Sequence, residues 1–131
     1  MKRRVLAVVG LLALLATPAI AHHSFAAEYD NSQPVKVTGT LTRVEWTNPH
    51  IWFFVQTAEP DGNPVEWGFS GAPPGVLMRR GINKDVLKIG ADVKVEGFRA
   101  RDGSNHASAG RVTLPDGRNV FTASSEDATP K

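Results

Sequence analysis

Four histidines are the residues of this chain whose type and position could do chemistry. If a leader were removed after Ala21, His22 would offer a free α-amine and an imidazole, and these two nitrogens could chelate one metal ion. His23 follows directly, and His50 and His106 fall in predicted loops at strand ends. Nitrogen-rich tetragonal sites favour Cu(II). The pattern is compatible with a polar N-terminus whose histidines bind nothing, and the alternative is a copper site formed by His22, His23, His50 and His106.

His50 ends a turn with the sequence EWTNPH. Asn48 can hydrogen-bond its own backbone and Pro49 fixes φ, so His50 would be aimed in one direction. In one interpretation, His50 faces a ligand with Glu45 or Trp46 beside it. In the other, the turn is a rigid corner in which Asn48 and His50 satisfy backbone groups.

Aromatic side chains suggest a second kind of site. Trp46, Trp52, Phe54 and Trp67 could form a stacking surface on the second and third strands, where OB-type barrels bind oligonucleotides or sugars. The same residues could instead build the core. We expect the ligand-facing residues to be Glu45, Trp46, Asn48, Trp52 and Trp67.

No motif in the sequence predicts catalysis. Gly68–Ala72 reads GFSGA between a strand and a helix, which resembles a nucleophile elbow. However, Ala72 replaces the final glycine, the chain is too short for the hydrolase fold, and Pro73 distorts the helix start. The sequence has no cysteine and no phosphate loop, zinc-protease motif or dinucleotide fingerprint. We therefore expect a protein that is not an enzyme and has no cofactor, copper being the alternative.

The first 21 residues have the layout of a secretory signal peptide. Lys2, Arg3 and Arg4 form a basic start, residues 5–16 are apolar, and Ala19-Ile20-Ala21 is a small-x-small cleavage site. The apolar stretch is short for a membrane span, although an uncleaved anchor is the alternative. Cleavage after Ala21 predicts a periplasmic protein that is not bound to the membrane.

Removing the leader changes the charge. The chain has 15 Lys and Arg and 13 Asp and Glu, and three of the basic residues lie in the leader. The remaining 12 basic and 13 acidic residues give −1, which disfavours nucleic acid as a partner. The 131 residues less the leader's 21 leave 110, enough for one domain without disulfides.

Alternation of apolar and polar residues predicts a mainly β domain with one helix. The alternation of apolar and polar residues shifts by one position after Thr42 and again at Gly97. Such shifts predict β-bulges or sharp bends in the strands. The apolar run at residues 51–55 predicts a central strand covered on both faces. The expected strands are residues 35–44, 51–55, 65–69, 91–100, 107–114 and 119–121, with a helix at residues 74–80.

This order of elements predicts a small OB-like Greek-key β-barrel of five to six strands, with one short helix between strands 3 and 4. A small open sandwich or roll is the alternative. The expected organisation is a signal peptide at 1–21, an N-terminal strap at 22–34, the barrel at 35–121 and a disordered tail at 122–131.

Three stretches resemble a family of small exported bacterial proteins of unknown function. They are HHSFAAEYD at residues 22–30, EWTNPH at residues 45–50 and LMRRGI at residues 77–82. The resemblance implies export and a single domain, and it implies no activity. At His22 alone, the chain is also similar to copper monooxygenases and small periplasmic copper carriers, which begin with histidine after export.

Together these observations predict an exported, non-enzymatic binding module. Its partner would be a small ligand or another envelope protein. The alternative is a periplasmic copper-binding protein that uses His22, with His50 or His106 completing the site.

Overall fold

The computed structural model describes residues 25–123 and 129–130, and this part of the chain is mainly β. Residues 25–28 form a helical turn before the first strand. The predicted order of three strands, a helix and three further strands is confirmed. The elements are β1 (Tyr29–Glu45), β2 (Trp52–Ala58), β3 (Pro64–Ser70), α1 (Pro74–Arg79), β4 (Asp92–Ala100), β5 (His106–Thr113) and β6 (Asn119–Phe121).

Five of the strands form a closed ring of hydrogen-bonded pairs. The antiparallel pairs are β1–β2, β2–β3, β1–β4 and β4–β5. The ring closes through a parallel pair, β3–β5, in which Gly68, Phe69 and Ser70 face His106, Ala107 and Ser108. The short β6 adds to β5 outside this ring. Each ring strand therefore has a neighbour on both sides.

β1 serves two partners because it bends. Its first part pairs with β4 up to Thr40, and its last part pairs with β2 from Thr40 to Glu45. The register shifts between Leu41 and Arg43, which confirms the irregularity predicted after Thr42. A bulge re-aims the side chains that follow it, so one strand can lie on both sides of the closure.

The second predicted irregularity also occurs, between Glu96 and Gly97 in the β4–β5 pair. A Cβ atom on Gly97 would stand 1.7 Å from the backbone oxygen of Ser108, a distance that no side chain tolerates. Glycine is therefore required where β4 crosses closest to β5.

β1 begins at Tyr29, earlier than the expected start at Val35. Tyr29 pairs with Ala100, and the register then shifts before Pro34. Between them, the Asp30 carboxylate accepts hydrogen bonds from the Ser32 amide and hydroxyl. These residues thus form an irregularity within β1, and the last residues of the expected strap belong to this strand.

The core lies on the inner face of the ring. Ile51, Phe53 and Val55 are completely buried, and the Phe53 and Phe69 rings stack with centroids 5.4 Å apart. The intervening Trp52 and Phe54 are only half-buried. The prediction that residues 51–55 are covered on both faces is therefore wrong, because one face packs the core and the other carries half-buried aromatic rings.

The C-terminal end of the described domain is held by Thr122. This residue is fully buried, its amide donates to Gly110, and its carbonyl accepts from the amide of Ala72. The Arg80 guanidinium donates to the carbonyl oxygen of Ala123. The predicted tail at 122–131 thus begins with two buried residues, and residues 124–128 and 131 lie outside the described part.

Within the residues that the structure describes, no helix has the length and apolar character needed to cross a membrane.

Candidate functional site

Three rings gather on the outer face of the sheet, and we name Trp52, Phe54 and His106 the ring cluster. The Trp52 and Phe54 rings are inclined by 24° with centroids 6.5 Å apart, and the imidazole of His106 meets Trp52 edge-on at 5.8 Å. Gly68 lies beneath them, since a Cβ there would come within 3.2 Å of Phe54 and 2.6 Å of His106. The missing side chain lets two rings from different strands lie over β3.

Arg43 extends the ring cluster toward β1. Its guanidinium carbon lies 3.7 Å from the centroid of the Phe54 ring, a cation–π geometry. The same guanidinium lies 3.5 Å from the Glu45 carboxylate and 3.8 Å from that of Glu66. Because two carboxylates already face Arg43, this end of the cluster offers no unopposed positive charge to an anion.

His106 is held by its own loop. Its Nδ1 lies 3.3 Å from the hydroxyl oxygen of Ser104. That hydroxyl donates to the Asp102 carboxylate over 2.6 Å, and the Ser104 amide donates to the same oxygen over 2.9 Å. These hydrogen bonds from Ser104 hold the pKa of Asp102 below its usual value, so its carboxylate is ionised at neutral pH.

A cleft of about 450 Å³ opens beside the ring cluster. It lies between the helical turn at residues 25–28, the start of β2 and the loop that joins β4 to β5. Its lining combines an indole, an imidazole, a phenol and charges of both signs, supplied by Glu28, Tyr29, Trp52, Arg101, Asp102 and His106. Such a mixture suits a small ligand with an apolar face and polar groups.

Arg101 fixes the N-terminal wall of the cleft. Its backbone amide donates to the carbonyl of Glu28 over 2.9 Å, and its Nε donates to the carbonyl of Ala26. The Phe25 ring packs against Tyr29 with centroids 5.2 Å apart, as expected of a docked N-terminal segment. This wall is therefore tied to the loop after β4 by backbone and side-chain bonds.

Tyr29 lies at the base of this wall, where it places an apolar ring and a polar hydroxyl group. The residue is 4% exposed and packs with Phe98 and Ala100. Burial raises the pKa of its hydroxyl, and a hydrogen bond with Ser70 opposes that shift. The phenol is thus neutral at neutral pH and can hydrogen-bond without bringing charge into the cleft.

The structure separates the four aromatic residues predicted to form one stacking surface. Trp52 and Phe54 lie on the outer face. Trp46 and Trp67 pack against the core, and the Arg99 guanidinium lies 5.4 Å from the Trp67 ring centroid. The stacking surface therefore consists of Trp52 and Phe54 with His106.

The EWTNPH turn has the features of a rigid corner. The peptide bond between Asn48 and Pro49 is cis, and Nδ1 of His50 lies 2.8 Å from the carbonyl oxygen of Gly71. His50 thus satisfies a backbone group, as the structural interpretation expected. Asn48 is exposed, and Glu45 pairs with Trp52 in the sheet while its carboxylate faces Arg43.

Of the four candidate metal ligands, His22 and His23 lie outside the described residues. His50 and His106 are both exposed. Among the residues that the structure describes, no group of three or more His, Cys, Asp or Glu side chains is placed to hold a metal ion.

Sequence reasoning missed Arg43, Tyr29, Gly68 and Asp102 as contributors to this site. For Gly68 a signal existed, because glycine inside a strand marks a close approach by another group. For Asp102 and Tyr29 the local sequence gave none. They reach the cleft only through the pairing of β1 with β4 and the closure of β5 on β3.

Fold and site together define a small mainly β protein with a polar and aromatic cleft on its outer face. The model of a family of unknown function, DUF6152, matches residues 9–109. Because that match covers well over half of the chain, the protein belongs to this family, and the expected membership of an uncharacterised family is confirmed. No curated protein matches the sequence.

Proposed function

We propose that this protein is a non-enzymatic, exported binding module that holds a small ligand in the cleft beside the ring cluster. The proposal rests on the position of Trp52. Its half-buried indole lies on the outer face, belongs to the ring cluster and also lines the cleft. A large, half-buried aromatic ring beside a concave, partly polar surface has the character of a small-ligand site.

The order of pairings supports an OB-like Greek-key barrel. The ring runs β1–β2–β3–β5–β4 and returns to β1, with α1 between β3 and β4 in the chain. OB folds bind ligands on the face of strands 2 and 3, with the loops that join strands 1 to 2 and 4 to 5. Here Trp52 and Phe54 come from β2, and Arg101 and Asp102 come from the loop between β4 and β5. The cleft lies where that fold would place a ligand.

The polar groups of the cleft do not form a hydrolytic triad. A triad needs the histidine between the carboxylate and the nucleophile. Here the Ser104 hydroxyl lies between Asp102 and His106 and donates its proton to the carboxylate. His106 therefore cannot activate that hydroxyl, and binding without chemistry is the function that this arrangement favours.

Export and a periplasmic location rest on residues 1–21, whose basic start, apolar run and small-x-small site are those of a cleaved leader. The net charge of −1 that remains after cleavage favours a neutral or cationic small ligand over nucleic acid.

The test is a binding screen read by intrinsic fluorescence. A panel of neutral sugars, amines and aromatic acids is titrated into the processed protein. At least one class should change the emission saturably, and Trp52→Ala should abolish that response while leaving the unfolding transition cooperative. Met78→Ala, an exposed residue of α1, is the matched control and should bind normally. Binding that survives Trp52→Ala, or no saturable response from any class, would overturn the proposal.

Copper binding is the second candidate, and one observation favours it. The cleft is lined by Ala27 and by Glu28, six residues after His22, and also by His106. In a chain that begins at His22, the amine and imidazole would be joined to Glu28 by a segment that spans at most about 20 Å. Cu(II) added to the processed protein should then give a tetragonal spectrum. One extra residue before His22 should abolish the spectrum, and a spectrum that persists would exclude the terminal amine as a ligand.

A further inference from the structure

The Ser104 hydroxyl lies between two groups that compete for its single proton. Its oxygen is 2.6 Å from the Asp102 carboxylate and 3.3 Å from Nδ1 of His106. An ionised carboxylate can only accept hydrogen bonds, so the shorter contact requires the hydroxyl proton to point at Asp102. What Ser104 presents to His106 is therefore a lone pair.

Two lone pairs cannot bond, so Nδ1 of His106 must carry a proton. In the neutral imidazole only one nitrogen is protonated, which leaves Nε2 as a bare acceptor. The hydrogen-bonded series Asp102–Ser104–His106 thus sets the tautomer of the ring through Nδ1, while Nε2 takes no part in it. Partners of metal-ligating histidines fix the tautomer in the same way.

The ring is also fixed in position. It lies on the backbone of Gly68, where an added Cβ would be 3.1 Å from Nε2, and it meets the Trp52 indole edge-on. The imidazole lines the cleft. The imidazole is therefore held at a defined point beside the half-buried indole of Trp52.

The other polar groups of the cleft also determine which hydrogen bonds a ligand can make. Glu28 and Asp102 contribute carboxylates, which accept hydrogen bonds, while the Arg101 Nε already donates to the carbonyl of Ala26. The other guanidinium N–H groups of Arg101 are donors, so a ligand here meets both acceptors and donors, and a hydroxyl group can serve both. The flat indole of Trp52 suits the apolar face of a ring.

We infer that His106 is the recognition residue of the cleft and that the ligand is a neutral hydroxylated ring, such as a pyranose, which donates a hydroxyl proton to Nε2. This inference rests on the proposed function, because it names the ligand class of the same cleft. It disfavours anionic rings, because the two carboxylates of Glu28 and Asp102 outnumber the one cationic side chain, Arg101, in the lining.

The tautomer is tested without any ligand. Long-range ¹H–¹⁵N spectra at a pH where the rings are neutral should show Nδ1 protonated and Nε2 bare in His106. His50 is the internal control, since the carbonyl of Gly71 also requires a proton on its Nδ1. Ser104→Ala should alter the His106 pattern and leave His50 unchanged. A protonated Nε2 in wild-type His106 would overturn the inference while leaving the proposed cleft intact.

The ligand class is tested with methyl glycosides and neutral tetrasaccharides, against the corresponding uronates. His106→Phe keeps a ring over Gly68 but removes the acceptor, so affinity for the neutral sugar should fall about tenfold, the effect of about 1.4 kcal/mol. Equal affinities of wild type and His106→Phe, preference for the uronates, or no binding of any neutral sugar would overturn the ligand class. If amines or aromatic acids still bind and require Trp52, the proposed function survives that failure.

Discussion

The imidazole of His106 lies on the backbone of Gly68, so closely that a Cβ atom at residue 68 would stand 2.6 Å from Cδ2 of the ring. The two residues face each other in the parallel pair that closes the ring of strands. Gly68 is thus the residue that leaves room for the ring of a histidine from β5 on β3.

Gly68→Ala should displace the His106 ring. Relief of the overlap requires the ring or the strand to move, at a cost of about 1–3 kcal/mol. We expect the His106 proton resonances to move, because the ring leaves its edge-on position against Trp52. Gly75→Ala in α1 is the control, since its Cβ would meet only Arg79 at an ordinary 3.6 Å. Unchanged His106 resonances in Gly68→Ala would contradict the packing described above.

Phe53 and Phe54 form a matched pair on opposite faces of β2. Phe53 is 0% exposed, so Phe53→Ala should lower the free energy of unfolding by about 3–5 kcal/mol. Phe54 packs outside, against Trp52 and Arg43, and Phe54→Ala should cost about 1 kcal/mol. Urea unfolding of both variants measures the difference. Equal losses would show that the outer ring is as much a part of the core as the inner one.

Glu96 should make stability depend on pH. Its carboxylate lies 2.9 Å from Lys36 and 3.2 Å from Arg111, and the hydrogen bond from Lys36 is the main cause that lowers its pKa from the usual 4.5. A lowered pKa means that the folded state favours the ionised form. The stabilisation is therefore present above about pH 4.5 and is lost as pH falls through the lower folded value.

Glu96→Gln should accordingly be less stable than wild type at pH 7, by about 1 kcal/mol, and this difference should shrink on acidification below pH 4.5. Glu59→Gln, in the exposed loop after β2, removes the same charge away from Lys36 and serves as the control. Thermal unfolding between pH 3 and 7 measures both variants. A constant difference between wild type and Glu96→Gln across this range would argue against the ion pair.

Thr122 and Ala123 should contribute to the stability of the domain. A chain that stops after Ala123 keeps the bonds of Thr122 to Gly110 and Ala72, whereas a chain that stops after Phe121 loses them. We expect the first shortened chain to be the more stable of the two. The second should lose about 2–4 kcal/mol, because several buried backbone groups lose their partners. Equal melting temperatures for the two shortened chains would place the domain boundary before Thr122.

The backbone path was the more predictable part of this molecule. Thr42 and Gly97 revealed the two irregularities, because a shift in apolar phase within one strand has few other causes. Pro74 and Gly81 bounded the helix through their fixed and positive φ angles. These are local effects of residue type, and sequence displays them directly.

The site was less predictable because it depends on which face of each strand is covered. Trp52 and Trp67 look alike in sequence, yet one packs outside and the other against the core. Apolar residues on both faces of β2 suggested burial on both, although nothing in the sequence shows whether a second layer exists. His106 was singled out as a metal ligand, while its bonds to Ser104 depend on the local loop geometry.

The parallel pairing of β3 with β5 involves only three residue pairs, and it is the shortest strand pairing in the ring. That pairing also holds His106 against Gly68, so opening it would move the imidazole away from the Trp52 indole. Local fraying there would therefore also disrupt the proposed ligand cleft. A molecule bound in the cleft would stabilise the pairing of β3 with β5. The amide protons of Gly68 and Ser70 would then exchange with solvent more slowly in its presence.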